Sequence, residues 1–245
     1  MRAQFVKTMA ALMAKDKRIV LLLGDIGVHG FRDVFKTYPD RCYNIGICEQ
    51  ATVSLAAGLA KSGMIPVFHT IAPFMVERAF EQLKIDFGYQ GLGGNFVSVG
   101  ASYDYAALGC THHCPGDVAL LKTIPGMQII VPGTAAEFHA LFVQVWRGRR
   151  PTYFRLSERE NTLSMEVSYN RAKVIKQGIL ATVIAVGPTL DVVLYAAVDF
   201  NVNVLYYTTI APFDIQTLRE MFCTMFPSNK ILLVEPFYSG TLTHD

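Results

Sequence analysis

Short, uninterrupted apolar runs alternate along this chain with longer amphipathic ones. The opening "MRAQFVKTMAALMAKDKR" has the spacing of an amphipathic helix. "RIVLLLGD" follows, a run of five aliphatic residues closed by glycine, too short for a core helix and matching a strand buried on both faces. The alternation then repeats, with strand-like "CYNIG", "IPVFHT", "NFVSVG", "MQIIVP" and "TYFRLS". Between them lie helix-like "ICEQATVSLAAGLAKSG", "FMVERAFEQLKIDFG", "DVALLKTI" and "AAEFHALFVQVWRG", with a long Gly/Ser/Tyr loop before the third of these. Strands that alternate with helices predict an α/β unit with a mostly parallel sheet covered on both faces.

The rhythm is interrupted after residue 157 by the polar stretch "ERENTLSMEVSYNRAKVIKQG", and the expected organisation is a first domain over 1–157, a linker over 158–177 and a smaller α/β domain over 178–245. In the last of these, "ILATVIAVG", "VNVLYYTTI" and "KILLVEP" read as strands, separated by helical stretches near 189–200 and 214–225. The chain stops at "YSGTLTHD", where another helix is expected, so this domain reads as truncated or as covered by a partner. There is no internal repeat and no low-complexity tract.

Composition narrows the class. Of 245 residues, 51% are hydrophobic and 17% charged, which supports a large core and argues against disorder. A formal net charge of +2 supplies no general attraction to nucleic acid or to an anionic membrane, so any anion must be recognised locally. No apolar stretch approaches the roughly 20 residues that span a bilayer, and the first helix lacks a cleavable signal pattern. Five cysteines (Cys42, Cys48, Cys110, Cys114, Cys223) form an odd, sparse set, as expected of reduced thiols in a cytoplasmic protein.

The candidate chemistry begins at Glu49, which stands at the start of a helix otherwise rich in small residues: Ala51, Ser54, Ala56, Ala57, Gly58 and Ala60. An acid there is either a simple partner for the helix dipole or a carboxyl buried by a closely packed second backbone. Desolvation raises a carboxyl's pKa and suits it to share a proton near neutral pH. "CTHHC" superficially suggests zinc, but structural zinc sites bring two separated ligand pairs and no second cluster is present. Arg147, Arg149 and Arg150 fit the solvated end of a helix.

Two stretches carry a family resemblance: "RCYNIGICEQATVSLAAGLAKSGMIPVFHTIAPFMVERAFEQLKID" and "LGCTHHCPGDVALLKTIPGMQIIVPGTAAEF". Together they resemble the pyrimidine-binding domain of the transketolase family of thiamine diphosphate enzymes, and the match runs in order from about Asp25 to Arg155. "VIAVGPT" and "ILLVEPFYSG" are similar to that family's C-terminal domain. The resemblance implies a thiamine diphosphate-binding fold and transfer of a two-carbon ketol unit between sugars or sugar phosphates. It makes Glu49 the acid that bonds the cofactor's aminopyrimidine, with His112 as a second catalytic group near the substrate hydroxyls.

Phe74 matches the aromatic residue that stacks on the pyrimidine, although Phe74, Phe80 and Phe87 also fit a helix core. Ile47 and Arg78 are expected beside the cofactor. Arg78 lies four residues after Phe74, where it reaches a carboxylate or a substrate phosphate, or pairs on the surface with Glu77 or Glu81. His29, His113, Arg155 and Arg159 join His112 as candidates for the substrate, and His69 reads as structural.

The chain departs from the family at Leu108, which stands before "GCTHH" where transketolases often carry an aspartate. It also lacks the "GDG" motif with its downstream asparagine, and "GDIGVHG" is too loose a glycine set to replace it. The resemblance therefore implies that diphosphate and Mg²⁺ are held mainly by an N-terminal partner subunit, in an assembly of two copies of each. Alternatives on the same scaffold are a 1-deoxyxylulose-5-phosphate synthase-like enzyme, the beta subunit of an oxo-acid dehydrogenase, and a non-catalytic assembly subunit.

Overall fold

The computed structural model describes residues 1–223 and 230–244, with the side chains of 222 and 223 outside that description. Its first part runs α1 (Arg2–Lys15), β1 (Ile19–Leu23), α2 (Arg32–Thr37), β2 (Cys42–Asn44), α3 (Glu49–Lys61), β3 (Ile65–Ile71), α4 (Ala72–Val76) and α5 (Phe80–Gln82). It continues through β4 (Gly94–Val99), α6 (Asp117–Lys122), β5 (Gln128–Ile130), α7 (Ala135–Val145) and β6 (Pro151–Arg155). The remainder is β7 (Lys173–Lys176), β8 (Thr182–Val186), α8 (Leu190–Ala196), β9 (Asn203–Tyr207), β10 (Thr209–Ala211), α9 (Ile215–Cys223) and β11 (Ile231–Val234). Among the described residues, no helix is long and apolar enough to cross a membrane.

A seven-stranded sheet has the order β10-β5-β6-β4-β3-β1-β2, and a four-stranded sheet the order β11-β8-β9-β7. Every pairing is parallel except those of β10 with β5 and β7 with β9. The period of two along each strand divides the core into two layers. Ile19, Leu21, Leu23, Val67 and Val97 face α1 and α7, while Val20, Leu22, Phe68 and Phe96 face α3, α4 and α6. On the first side, Phe5 meets Phe31 at 5.3 Å, His69 at 5.0 Å and Phe138 at 5.9 Å between ring centroids, so one residue of α1 keys the helix to the sheet.

The helix expected over "FMVERAFEQLKIDFG" is broken. The Pro73 carbonyl accepts from both Glu77 N–H (2.9 Å) and Arg78 N–H (3.1 Å), the second across a widened turn, and Leu83–Tyr89 coils as a π-helix. The strand expected over "VNVLYYTTI" is two strands in different sheets: β9 lies in the small sheet, and after Thr208 the chain crosses to pair β10 with β5. Residues 158–177, read as a linker, end in strand β7. The helix expected over 214–225 is present as α9, and residues 224 and 225 lie outside the described residues.

What precedes β7 is pinned down. Glu137, buried on α7, accepts from Gly133 N–H (2.8 Å), Met165 N–H (2.8 Å) and the Tyr206 hydroxyl (2.7 Å), joining α7, the interrupting stretch and β9. Asn161 donates to the Gly187 carbonyl at 3.0 Å. Gly133 lies so close to this crossing that a Cβ there would sit 2.1 Å from the Tyr206 oxygen. Burial, then the neighbouring Glu137 carboxylate, pushes the Tyr206 hydroxyl's pKa well up, keeping it a donor. Glu137→Ala is expected to lower unfolding free energy by about 3 kcal/mol, because it leaves two amides and a phenol unpaired in the interior. Urea denaturation of both proteins checks this.

Candidate functional site

In a parallel sheet of this kind, loops leaving the carboxyl ends of the strands gather along one edge. The loop after β1 carries His29, that after β2 carries Ile47 and leads to Glu49, and β3 leads to Phe74 and Arg78. The long segment after β4 carries His112 and His113, and Arg159 follows β6.

Four of these side chains meet. Glu49, first residue of α3, is 1% exposed; its Oε2 accepts from Arg78 Nη1 at 2.8 Å, while its Oε1 is buried with no partner among the described residues. The Arg78 guanidinium lies over the Phe74 ring at 4.2 Å, and the His112 ring meets Phe74 edge-on at 5.2 Å. Thr111 Oγ1 lies 2.9 Å from His112 Nδ1, and Tyr105 approaches the same imidazole at 6.5 Å. Sequence reading missed Thr111 and Tyr105; only their nearness to His112 in the chain pointed to them.

A carboxyl oxygen buried without a partner is costly, on the order of 1–3 kcal/mol. It fits a planar ring nitrogen that shares a proton with it, and Phe74 provides an adjacent aromatic wall. The small residues of α3 divide between two faces. Ala56 and Ala57 enter the core, Ala51, Ser54 and Gly58 face outward, and the buried Glu49 is paired with Arg78.

The other candidates lie apart. Ile47 is 68% exposed and His29 exposed, and no contact among the described residues joins either to the cluster. His113 meets Tyr103 edge-on at 5.0 Å, and its Nε2 is buried without a partner among the described residues. Arg155, expected at a substrate's anionic end, is buried in a structural pair. Its Nε donates to Asp117 Oδ2 at 2.7 Å and its Nη2 to Ser102 Oγ at 2.6 Å, while Tyr153 donates to the same Asp117 oxygen at 2.9 Å. Arg159 is exposed and, with Arg155, lines a cleft of about 490 Å³ between the two sheets, whose opposite wall includes Glu235 and Tyr238.

Neither buried thiol is poised for chemistry: burial pushes Cys42 up to about 12 and Cys114 well above the usual range. Cys48 and Cys110 are free and exposed, and the Cys223 side chain lies outside the described residues. Arg147, rather than only capping a helix end, pairs with Asp16 at 3.3 Å.

Residues 1–162 match the family described as "Transketolase, pyrimidine binding domain". The chain belongs to the transketolase family. An uncharacterized 33.6 kDa protein of the fasciation locus of Rhodococcoides fascians is 39% identical over 240 residues, 98% of this chain and 77% of that protein. One of the subunits of the apulose-4-phosphate transketolase of Phocaeicola vulgatus is 31% identical over 231 residues, 89% of this chain and 74% of that protein. A solved structure described as "Split gene transketolase, inactive beta4 tetramer" superposes with a TM-score of 0.84 at 27% identity, covering 96% of this chain and 78% of that one. Transketolases generally use thiamine diphosphate, the class of ligand that the Glu49 and Phe74 geometry fits.

His69, on β3, bonds the Val97 carbonyl through Nδ1 at 2.7 Å, and its Nε2 is buried beside Gly27 without a partner among the described residues. Burial lowers its pKa from 6.5 to about 4. The unfolded chain therefore binds a proton that the folded chain refuses, and stability falls as pH drops from 6.5 toward 4. His69→Phe is expected to remove roughly 2–3 kcal/mol of the loss between pH 7 and 4.5. Urea midpoints for both proteins across that range check it.

Proposed function

We propose that this chain is the C-terminal, pyrimidine-binding subunit of a split transketolase. It acts in the cytoplasm with an N-terminal subunit that carries the diphosphate and Mg²⁺ site, two copies of each, and transfers a two-carbon ketol unit between sugars or sugar phosphates. The observation that carries this reading is the buried, half-satisfied carboxyl of Glu49 beside Phe74 and His112. The Phocaeicola relative, itself one subunit of a transketolase, and the split-gene structure support the division into two chains. The described beta4 tetramer is inactive, which agrees with a chain that completes its site only with a partner.

When bound, thiamine diphosphate supplies the electron sink for breaking and making the carbon–carbon bond. This chain's part is to place and protonate. Glu49 would turn its unpartnered Oε1 to the pyrimidine ring nitrogen and share a proton with it, and Phe74 would hold that ring by stacking. Thr111, through Nδ1, orients the His112 imidazole so that Nε2 serves substrate hydroxyls as donor or acceptor. His113, Arg159 and His29, which lie outside the Glu49 cluster, would meet the sugar or its anionic end on its way in. Arg155 lines the same cleft as Arg159 while paired with Asp117.

The test is reconstitution with a polypeptide bearing the missing "GDG" and downstream asparagine, Mg²⁺ and thiamine diphosphate. Expected are ketol transfer by the pair, none by this chain alone, and thiazolium C2 hydrogen exchange at least about tenfold slower in Glu49→Gln, as loss of one acid–base group requires. Exchange at the unaltered rate in that variant overturns the role of Glu49. Release of carbon dioxide from pyruvate by the pair moves the activity to a decarboxylating member of the family.

A further inference from the structure

The aromatic face assigned to the cofactor is covered by one of the chain's own side chains. The Arg78 guanidinium lies 4.2 Å from the centre of the Phe74 ring and, in the same pose, donates from Nη1 to Glu49 Oε2 at 2.8 Å. It therefore covers the Phe74 face that the preceding reading gives to an aminopyrimidine, and it holds Oε2 of the same carboxyl whose Oε1 that reading turns to the ring nitrogen. The match is chemical as well as geometric. A guanidinium and a protonated aminopyrimidine share a flat, delocalised N–C–N unit with N–H donors in its plane, and a carboxylate beside an aromatic face recognises either.

We propose that Arg78 is a built-in occupant of the pyrimidine slot, which the cofactor displaces. The residue thus opposes cofactor entry, contrary to its expected place among the cofactor-holding groups. This rests on the assignment of Glu49 and Phe74 to the cofactor.

The surroundings make displacement feasible. The Arg78 side chain is 40% exposed, so its head has a path to solvent, whereas Glu49 is 1% exposed and stays in place. The segment that carries Arg78 is not a continuous helix. It lies between α4 and α5, its own N–H held to the Pro73 carbonyl at 3.1 Å by the widened turn. A ring that takes the Phe74 face, with its nitrogen at Oε1, leaves Arg78 in water, where its charge is solvated. Without the ring, Arg78 keeps the buried carboxylate paired and shields the Phe74 face.

The sign of one substitution decides between an occupant and a holder. The full chain is titrated with the aminopyrimidine half of the cofactor, 4-amino-5-hydroxymethyl-2-methylpyrimidine, and its dissociation constant is read by ligand-observed nuclear magnetic resonance. Arg78→Ala is expected to bind it at least about threefold more tightly than the unaltered chain. Arg78→Lys, which retains the charge opposite Glu49 but cannot stack a flat fork, is expected to lie between the two and guards against a folding defect in the alanine variant. Millimolar guanidinium is expected to compete with the pyrimidine in Arg78→Ala, whose slot is vacant, and to have little effect on the unaltered chain. Weaker or unchanged binding in both variants overturns the proposal and makes Arg78 a holder or a bystander. If Glu49→Gln binds the pyrimidine as well as the unaltered chain does, or none of the proteins binds it, the cofactor assignment itself fails, and this proposal with it.

Discussion

A parallel strand reaches its neighbour only through a crossover that covers one face of the sheet, so a sheet built this way is dry on both sides. That constraint organises the rest of the molecule. All five residues of β1 are buried, as are all five of β6 and all six of β4, leaving those strand faces to packing. Most polar chemistry is displaced to the carboxyl edge, where loops can present donors to a ligand. The candidate residues come from five different loops, yet Glu49, Phe74, Arg78 and His112 converge because β3 and β4 are neighbours and α3 starts beside them.

Three buried carboxylates differ in how completely their surroundings satisfy them. Asp117 is saturated by Arg155, Tyr153 and the Val118 amide, and Glu137 by two amides and a phenol. Both have every oxygen engaged, and both hold segments far apart in sequence. Glu49 differs in one respect: Oε2 has a cation and Oε1 has nothing among the described residues. The same chemical group at comparable burial is therefore fully paired in two places and half-paired in the third, which leaves one lone-pair direction of Glu49 open to the ligand proposed for it.

Much of this was legible in the order of residues. The alternating runs announced a covered parallel sheet, and the acid before the small-residue helix stood out because its position and its surroundings disagreed. What was not legible depended on distant partners. Arg155 looked like a ligand-binding cation because it ends a strand, and nothing nearby in sequence revealed Asp117, 38 positions away. Arg78 was placed one helical turn from Phe74, but its pose required the tertiary position of Glu49 and a break in the helix that the hydrophobic pattern conceals. The change of sheet at Thr208 was hidden for a related reason: an apolar run has the same appearance whether it stays in one sheet or divides between two.

The antiparallel strand β10 comes from the far end of the chain, yet it closes the edge of the first sheet on β5. During synthesis the seven-stranded sheet therefore cannot be completed until residue 211 has left the ribosome, however early its other six strands emerge. Until then β5 presents bare amides and carbonyls to the cell, the kind of edge on which unfinished chains pair with one another. The nascent protein passes through an interval of exposure whose length is set by the 80 or so residues between β5 and β10, about 4–16 s at ordinary elongation rates.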